Sequence, residues 1–98
     1  MTRDEALLVQ LAEEASEVAQ AASKVLRFVR DHTWHTHEGT AGERVVLELI
    51  DLLVLVELCQ EAKLLPIFSD EKNMTLLKAK KERVEKYLKL SIEMGMVQ

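Results

Sequence analysis

The residues best suited to chemistry in this chain of 98 residues are two pairs of acids, each with its members three positions apart. Glu14 and Glu17 form the first pair, and Glu48 and Asp51 form the second. Residues three apart on a helix lie on the same face, so each pair can direct two carboxylates toward one point. Converging carboxylates repel one another, and burying them without a partner is unfavourable. We therefore expect these four residues to bind a cation, and oxygen-only ligands favour Mg²⁺ first and Mn²⁺ second.

Other interpretations of these acids stay open at the level of sequence. Glutamate pairs at this spacing are common on solvated helix faces, and Glu13 is adjacent to the first pair, although the spacing favours Glu14. The second pair lies in the most apolar segment, where charged groups are rare unless they are paired or bound to metal. Lys24 and Arg44 are basic residues that would neutralise the acids without a metal. A di-iron centre of the ferritin type is excluded, because it uses Glu-x-x-His spacing and no His lies on a predicted helix.

Three helices must position these residues. The first opens with Thr2 and Glu5, which match a capping box, and is predicted to end near Arg30. Its apolar stripe, with spacings of three and four, consists of Leu8, Leu11, Ala15, Val18, Ala22, Val25 and Val29. A third helix is predicted from Ser69 or Asp70 to a point before Gly95, a residue that readily adopts a left-handed cap.

The second helix is predicted to be buried on all sides. Thr40 and Glu43 match another capping box, residues 45–59 are apolar nearly all round, and Pro66 is expected to stop the helix. The segment is too short and too charged to cross a bilayer, so no membrane association is expected. Because one chain of this size cannot cover such a helix, we expect a homodimer or homotetramer. The predicted fold is all-α, a single domain over residues 1–98 whose three main helices form a bundle completed by oligomerisation.

Charge and cysteine content exclude several classes of partner and predict the location of the protein. The chain has 17 acidic and 13 basic residues, with a net charge of −7 over residues 1–61 and +3 over residues 62–98. A nucleic-acid-binding domain would show a basic excess throughout, so no nucleic-acid partner is expected. Cys59 is the single cysteine, and the first residues lack the pattern of a secretory signal. A cytoplasmic location is predicted.

Two segments resemble a known enzyme family. Residues 11–20, LAEEASEVAQ, and residues 48–53, ELIDLL, are similar to the E-x-x-E and E-x-x-D signatures of the MazG-like superfamily, the all-α nucleoside triphosphate pyrophosphohydrolases. Residues 22–28 and 79–87 also look like small single-domain members. The resemblance implies magnesium-dependent hydrolysis of (deoxy)nucleoside triphosphates to a monophosphate and pyrophosphate. It assigns Glu14, Glu17, Glu48 and Asp51 as the catalytic magnesium ligands, one of which orients the attacking water.

Basic and aromatic residues supply candidates for binding the substrate. Lys24 and Arg27 on the first helix and Lys78 and Lys81 on the third are candidates for holding phosphates, with a solvated face as the alternative for the lysines of the third helix. Tyr87 is a candidate for the wall of the pocket or for the core.

The loop between the first two helices holds further candidates. Trp34 is suited to stacking on a base, or to loop packing or an oligomer contact. His32, His35 and His37 are suited to a transition metal, although solvated loop histidines are the commoner case.

A second class of function fits the same helices. An adaptor that binds partner helices would also have an apolar central helix, but it would have no need for Glu48 and Asp51 in its core. Binding of magnesium and nucleotide distinguishes the two classes.

Overall fold

The computed structural model describes residues 1–28, 35–36 and 39–98. Helix α1 spans Arg3–Phe28, α2 spans Ala41–Glu61 and α3 spans Asp70–Glu93. Two short strands, β1 (His35–Thr36) and β2 (Gly39–Thr40), pair antiparallel before α2. The all-α prediction with three helices is confirmed. The contacts divide the chain into two compact units, Met1–Pro66 and Ile67–Gln98, and a single domain over the whole chain stays a prediction.

The helices begin where the capping signals predict. The amide of Glu5 donates to Oγ1 of Thr2 at 3.1 Å, and the amide of Thr2 donates to Oε2 of Glu5 at 3.2 Å, which completes a capping box. Thr40 caps α2 by accepting from the amide of Glu43 at 3.0 Å. Ser69 caps α3 in the same way. Each cap satisfies an amide that has no partner within its helix.

The core of the first unit lies between α1 and α2. Leu7 on α1 and Leu55 and Cys59 on α2 are buried together. Packed against them are the half-buried residues Leu11, Leu58, Ala62, Leu64 and Leu65. Sγ of Cys59, near the end of α2, lies 4.0 Å from the carbonyl oxygen of Leu7, near the start of α1. The two helices are therefore antiparallel.

Helix α2 ends earlier than predicted. It stops at Glu61, and Lys63 adopts a left-handed φ of 62°. The amide of Leu64 then donates to the carbonyl of Cys59 at 2.8 Å, and that of Lys63 to Gln60 at 3.0 Å, as in a Schellman motif. The prediction that Pro66 stops the helix is wrong, because this turn returns Leu64 toward the core first.

One side of α2 is exposed within the chain. We define the α2 face as Val46, Leu49, Ile50, Leu53 and Val54, whose exposed fractions range from 41% to 63%. Its members recur at spacings of three and four residues, on the side away from buried Leu55 and Cys59. This exposure agrees with the expectation that one chain cannot cover the helix, and burial of the α2 face by a second copy stays a prediction. In the described part of the chain, no helix combines the length and the apolar character needed to cross a membrane.

The second unit is built on α3. Gly95 follows the helix with a φ of 76°, and the amide of Met96 donates to the carbonyl of Ser91 at 2.9 Å. The predicted left-handed cap is confirmed. Most apolar side chains of α3 are exposed, and Ser91 is its buried residue.

Candidate metal centre

Heptad spacing places Glu14 and Glu48 in the seam between α1 and α2. Glu14 lies seven residues from buried Leu7 and seven from buried Ala21, and Glu48 stands in the same relation to buried Ala41 and Leu55. Seven residues complete almost two helical turns, so each glutamate shares the face of the apolar residues around it. Because the helices are antiparallel, equal spacing brings the two carboxylates to the same level.

Glu17 joins these two residues in an acidic triad. One carboxylate oxygen from each of Glu14, Glu17 and Glu48 lies within 4.8 Å of the other two. Glu48 is buried, Glu14 is half-buried and Glu17 is exposed. The acidic triad therefore combines residues of both helices and extends from the solvent-exposed edge of the seam to its buried part. Glu13 is exposed and lies outside this group, so Glu14 is the residue that lies near Glu48 of α2.

Two oxygens of the acidic triad lack a hydrogen-bond partner. Oε2 of Glu14 and Oε2 of Glu48 are both inaccessible to solvent and accept no hydrogen bond. Leaving a charged acceptor buried without a partner is unfavourable. A cation bound between these oxygens would satisfy both of them.

Arg44 neutralises part of this charge. Its guanidinium lies 2.5 Å from Oε1 of Glu48, one helical turn away on α2. The Arg44 side chain is 44% exposed and that of Glu48 is 5% exposed, so the pair runs from solvent into the seam. The sequence offered Arg44 as a residue that would neutralise the acids without a metal, and the structure pairs it with Glu48. One guanidinium cannot balance three carboxylates, so negative charge remains.

Proximity of the carboxylates alters their protonation. A hydrogen bond with Glu48, reinforced by the negative charges of Glu14 and Glu48, raises the pKa of the Glu17 carboxyl above its ordinary value. A raised pKa is the signature of acids that share a site without enough positive charge. The raised pKa and the two unpartnered oxygens both indicate that the acidic triad has too little positive charge around it.

Asp51 does not join the acidic triad. It is exposed and contributes no oxygen to the group, so the structure brings together three of the four expected carboxylates and Asp51 stays a prediction. Three residues advance a helix by about 300°, which leaves Asp51 about 60° away from the direction of Glu48. Because the helices are antiparallel, the same step of three residues moves Glu17 and Asp51 in opposite directions along the seam.

Two of the predicted phosphate-binding residues line one depression on α1. Lys24 and Arg27 share with other residues of α1 an open depression of about 560 Å³. The remaining residues of its lining are Ser16, Ala19, Gln20 and Ser23. Gln20 and Lys24 lie three and seven residues after Glu17 on the same helix, but no residue of the acidic triad lines the depression. The sequence interpretation missed Ser16, Gln20 and Ser23, although their spacings of four and three residues are a helical signal.

The other predicted substrate-binding residues lie on α3 or outside the described residues. Lys78, Lys81 and Tyr87 are all exposed residues of α3, in the second unit. The exposed fraction of Tyr87 is 66%, so its interpretation as a core residue is wrong. Trp34, His32 and His37 lie outside the described residues, and only the backbone of His35, in β1, is described.

Comparison with known proteins returns no relative. No family model, no curated protein and no solved structure matches this chain. The function is therefore argued from the residues and their geometry.

Proposed function

We propose that this protein binds a divalent cation at Glu14, Glu17 and Glu48 and uses it to hydrolyse nucleoside triphosphates. The observation that carries the proposal is the pair of buried, unpartnered oxygens on Glu14 and Glu48. Glu48 is 4% exposed, and it belongs to a group of three carboxylates on two helices. A structural ion pair accounts for one oxygen of Glu48 and leaves the other oxygen without a partner.

The donor set fits a hard cation. All three residues offer carboxylate oxygens, which suit Mg²⁺, or Mn²⁺ in second place. Three ionised carboxylates beside the single positive charge of Arg44 leave a charge of −2, which one divalent cation balances. The buried ligand Glu48 and the exposed ligand Glu17 place such an ion at the edge of the seam, where water and a phosphate can reach it.

The substrate and the bond cleaved follow from the neighbouring charges and from the family resemblance. A triphosphate is repelled by an acidic centre unless a cation bridges the two, and Lys24 and Arg27 offer positive charge further along α1. The bridging cation would polarise the attacked phosphate. We propose cleavage between the α and β phosphates, with a monophosphate and pyrophosphate as products, on the basis of the resemblance of residues 11–20 and 48–53 to the MazG-like signatures.

Each residue of the acidic triad then has a distinct role. Glu14 and Glu48, held in the seam, fix the position of the cation. Glu17 is the exposed member, so we assign it the role of orienting the attacking water and accepting its proton. Asp51, three residues beyond Glu48, stays a candidate for a fourth ligand.

An oligomer in the cytoplasm is part of the same proposal. The exposed α2 face is apolar, and a second copy packed on it would remove this surface from water. The single buried thiol of Cys59 suits a reducing compartment.

The experiment is a panel of ribo- and deoxynucleoside triphosphates with magnesium, in which pyrophosphate and orthophosphate are measured separately. We expect pyrophosphate as the first product and no reaction in EDTA. Glu14→Gln should abolish hydrolysis, whereas Glu13→Gln, which alters the adjacent exposed acid, should not. Orthophosphate as the first product would contradict the proposed cleavage position.

A helix-binding adaptor is the second candidate, and the α2 face favours it. Its spacing of three and four residues is what an amphipathic partner helix would recognise. An adaptor would ignore magnesium and nucleotide. Isothermal titration of the protein with magnesium, followed by a non-hydrolysable nucleotide, distinguishes the candidates, because only the enzyme should release or absorb heat.

A further inference from the structure

One side of α3 carries a regular heptad pattern that the proposed enzyme does not use. We define the α3 seam as Leu77, Lys81, Val84 and Leu88, which follow one another at spacings of four, three and four residues. Their apolar members are 69%, 43% and 42% exposed, in chain order. This spacing keeps the four side chains in one line, as in the contact positions of a two-stranded coiled coil.

An isolated helix with an exposed apolar side gains stability when that side packs against another helix. Helix α3 has 24 residues, and most of its side chains are exposed. Helices in proteins gain most of their stability from packing an apolar face rather than from their intrinsic propensity. The pattern of the α3 seam matches itself, which makes a second copy of α3 the simplest occupant.

Lys81 determines the direction of the pairing. In a parallel pair, Lys81 would face the partner's Lys81, and two ammonium groups would meet inside the contact. In an antiparallel pair centred between residues 81 and 84, Lys81 faces the partner's Val84 and its stem packs on an apolar side chain. Leu77 then faces the partner's Leu88. Polar residues at such positions are known to specify the orientation of coiled coils.

The flanking charges agree with the antiparallel arrangement. It brings Lys78 beside the partner's Glu85 at two symmetric places, and both residues are exposed in the single chain. On the other flank, Lys80 lies beside the partner's Tyr87. Opposite charges at flanking positions favour the matching partner and orientation. We propose that the α3 seam binds the α3 seam of a second copy of this chain, in antiparallel orientation.

Site-directed disulfide formation in the full chain tests the direction of pairing. Leu77→Cys and Leu88→Cys are made as separate proteins, mixed, and oxidised mildly. The mixture should form a covalent dimer, whereas each variant alone should form little, because each cysteine faces a leucine. Wild type controls for the buried Cys59, and Lys86→Cys, on the opposite side of α3, measures random collision. Circular dichroism checks that each variant stays helical.

Two outcomes would overturn the proposal. Efficient dimers from Leu77→Cys alone would mean a parallel pair. No dimer in the mixture above the Lys86→Cys background would mean that the seam does not bind itself, and that another protein or another part of the chain covers it. Neither readout depends on a metal or a nucleotide, so failure here is distinct from failure of the proposed activity.

A charge exchange checks the register. In the mixed cysteine background, Glu85→Lys or Lys78→Glu should weaken dimer formation about fivefold, which corresponds to two exposed ion pairs. The double change Lys78→Glu with Glu85→Lys should restore it. A parallel pair would instead bring Lys80 beside the partner's Glu85, and the double change would then give no rescue, which would contradict the proposal.

Discussion

Glu14 and Glu48 face each other from antiparallel helices, and each buries one carboxylate oxygen that accepts no hydrogen bond. Both occupy positions of a heptad seam that is otherwise filled by Leu7, Ala21 and Leu55. Apolar residues there would pack without any electrostatic cost. If the proposed cation site is correct, these two acids destabilise the metal-free protein and a bound cation offsets that effect, which can be measured.

Magnesium should raise the melting temperature of the wild type. At a concentration one hundred times the Kd, a ligand that binds only the folded state adds about 2.7 kcal/mol to the free energy of unfolding. Glu14→Gln keeps the shape of the side chain and removes one of the repelling charges. It should melt at the same or a higher temperature than wild type in EDTA, and should lose the magnesium shift.

Glu13→Gln is the matched control for that measurement, because it removes the same charge from an exposed neighbour outside the acidic triad. It should keep the full magnesium shift. If wild type shows no shift and Glu14→Gln melts lower with and without magnesium, the acids are structural and the enzyme proposal fails.

Glu48 and Asp51 should differ in their importance for metal binding. Glu48 belongs to the acidic triad, whereas Asp51 is exposed and points about 60° away. Isothermal titration should show no magnesium binding by Glu48→Gln and substantial binding by Asp51→Asn. Equal loss in both variants would mean that Asp51 is a ligand, as the sequence pattern suggests, and that α2 rotates when the metal binds.

The stability of the metal-free protein should fall with rising pH because of Glu17. Its pKa is raised in the folded state, so folding takes up a proton, and the resulting stability is complete below the ordinary pKa of 4.5 and is lost as the pH rises through the folded value. Urea denaturation in EDTA at a series of pH values measures this. The free energy of unfolding of wild type minus that of Glu17→Gln should decrease as the pH increases from 4.5, and a constant difference would contradict the electrostatic coupling.

Much of the first unit was predictable from the sequence, because its signals are local. Thr2 with Glu5, and Thr40 before Glu43, mark the helix starts through side chains that bond to amides three residues away. The presence of Glu14 and Glu17 on one side of α1 follows from their three-residue spacing. These patterns depend only on helical geometry, which is the same in any protein.

Other features depend on contacts that no local pattern encodes. Lys63 has no sequence signal for a left-handed turn, and it adopts one because Leu64 returns to the core around Cys59. Asp51 has the same spacing from Glu48 as Glu17 has from Glu14, but it contributes no oxygen to the acidic triad, because equal steps along antiparallel helices lead in opposite directions. The side of α2 that faces α1 could not be predicted from the sequence either, because the helix is apolar nearly all round.

Replacing Lys63 by glycine should stabilise the first unit. A residue with a side chain at a φ of 62° is strained, and glycine removes most of that strain, for a gain of about 1 kcal/mol. Lys63→Ala is the matched control, since it removes the charge and keeps the strain. Urea denaturation should show a higher midpoint for Lys63→Gly only. An equal increase in both variants would mean that the lysine charge, not the backbone, is unfavourable.

The α2 face should hold an oligomer together. Leu53 lies within it and is 63% exposed in the single chain, so Leu53→Asp should not disturb the core of its own subunit. Placed in an apolar contact between copies, however, the new carboxylate would lose its hydration without gaining a partner. Light scattering should give a wild-type mass of at least twice 11.2 kDa and a smaller mass for Leu53→Asp. Leu26→Asp, at an 82% exposed position of α1 outside the α2 face, should leave the mass unchanged.

Because the α3 seam is a separate surface, a chain that uses both should be a tetramer that Leu53→Asp reduces to a dimer. A wild-type protein that stays monomeric at micromolar concentration would contradict both contacts.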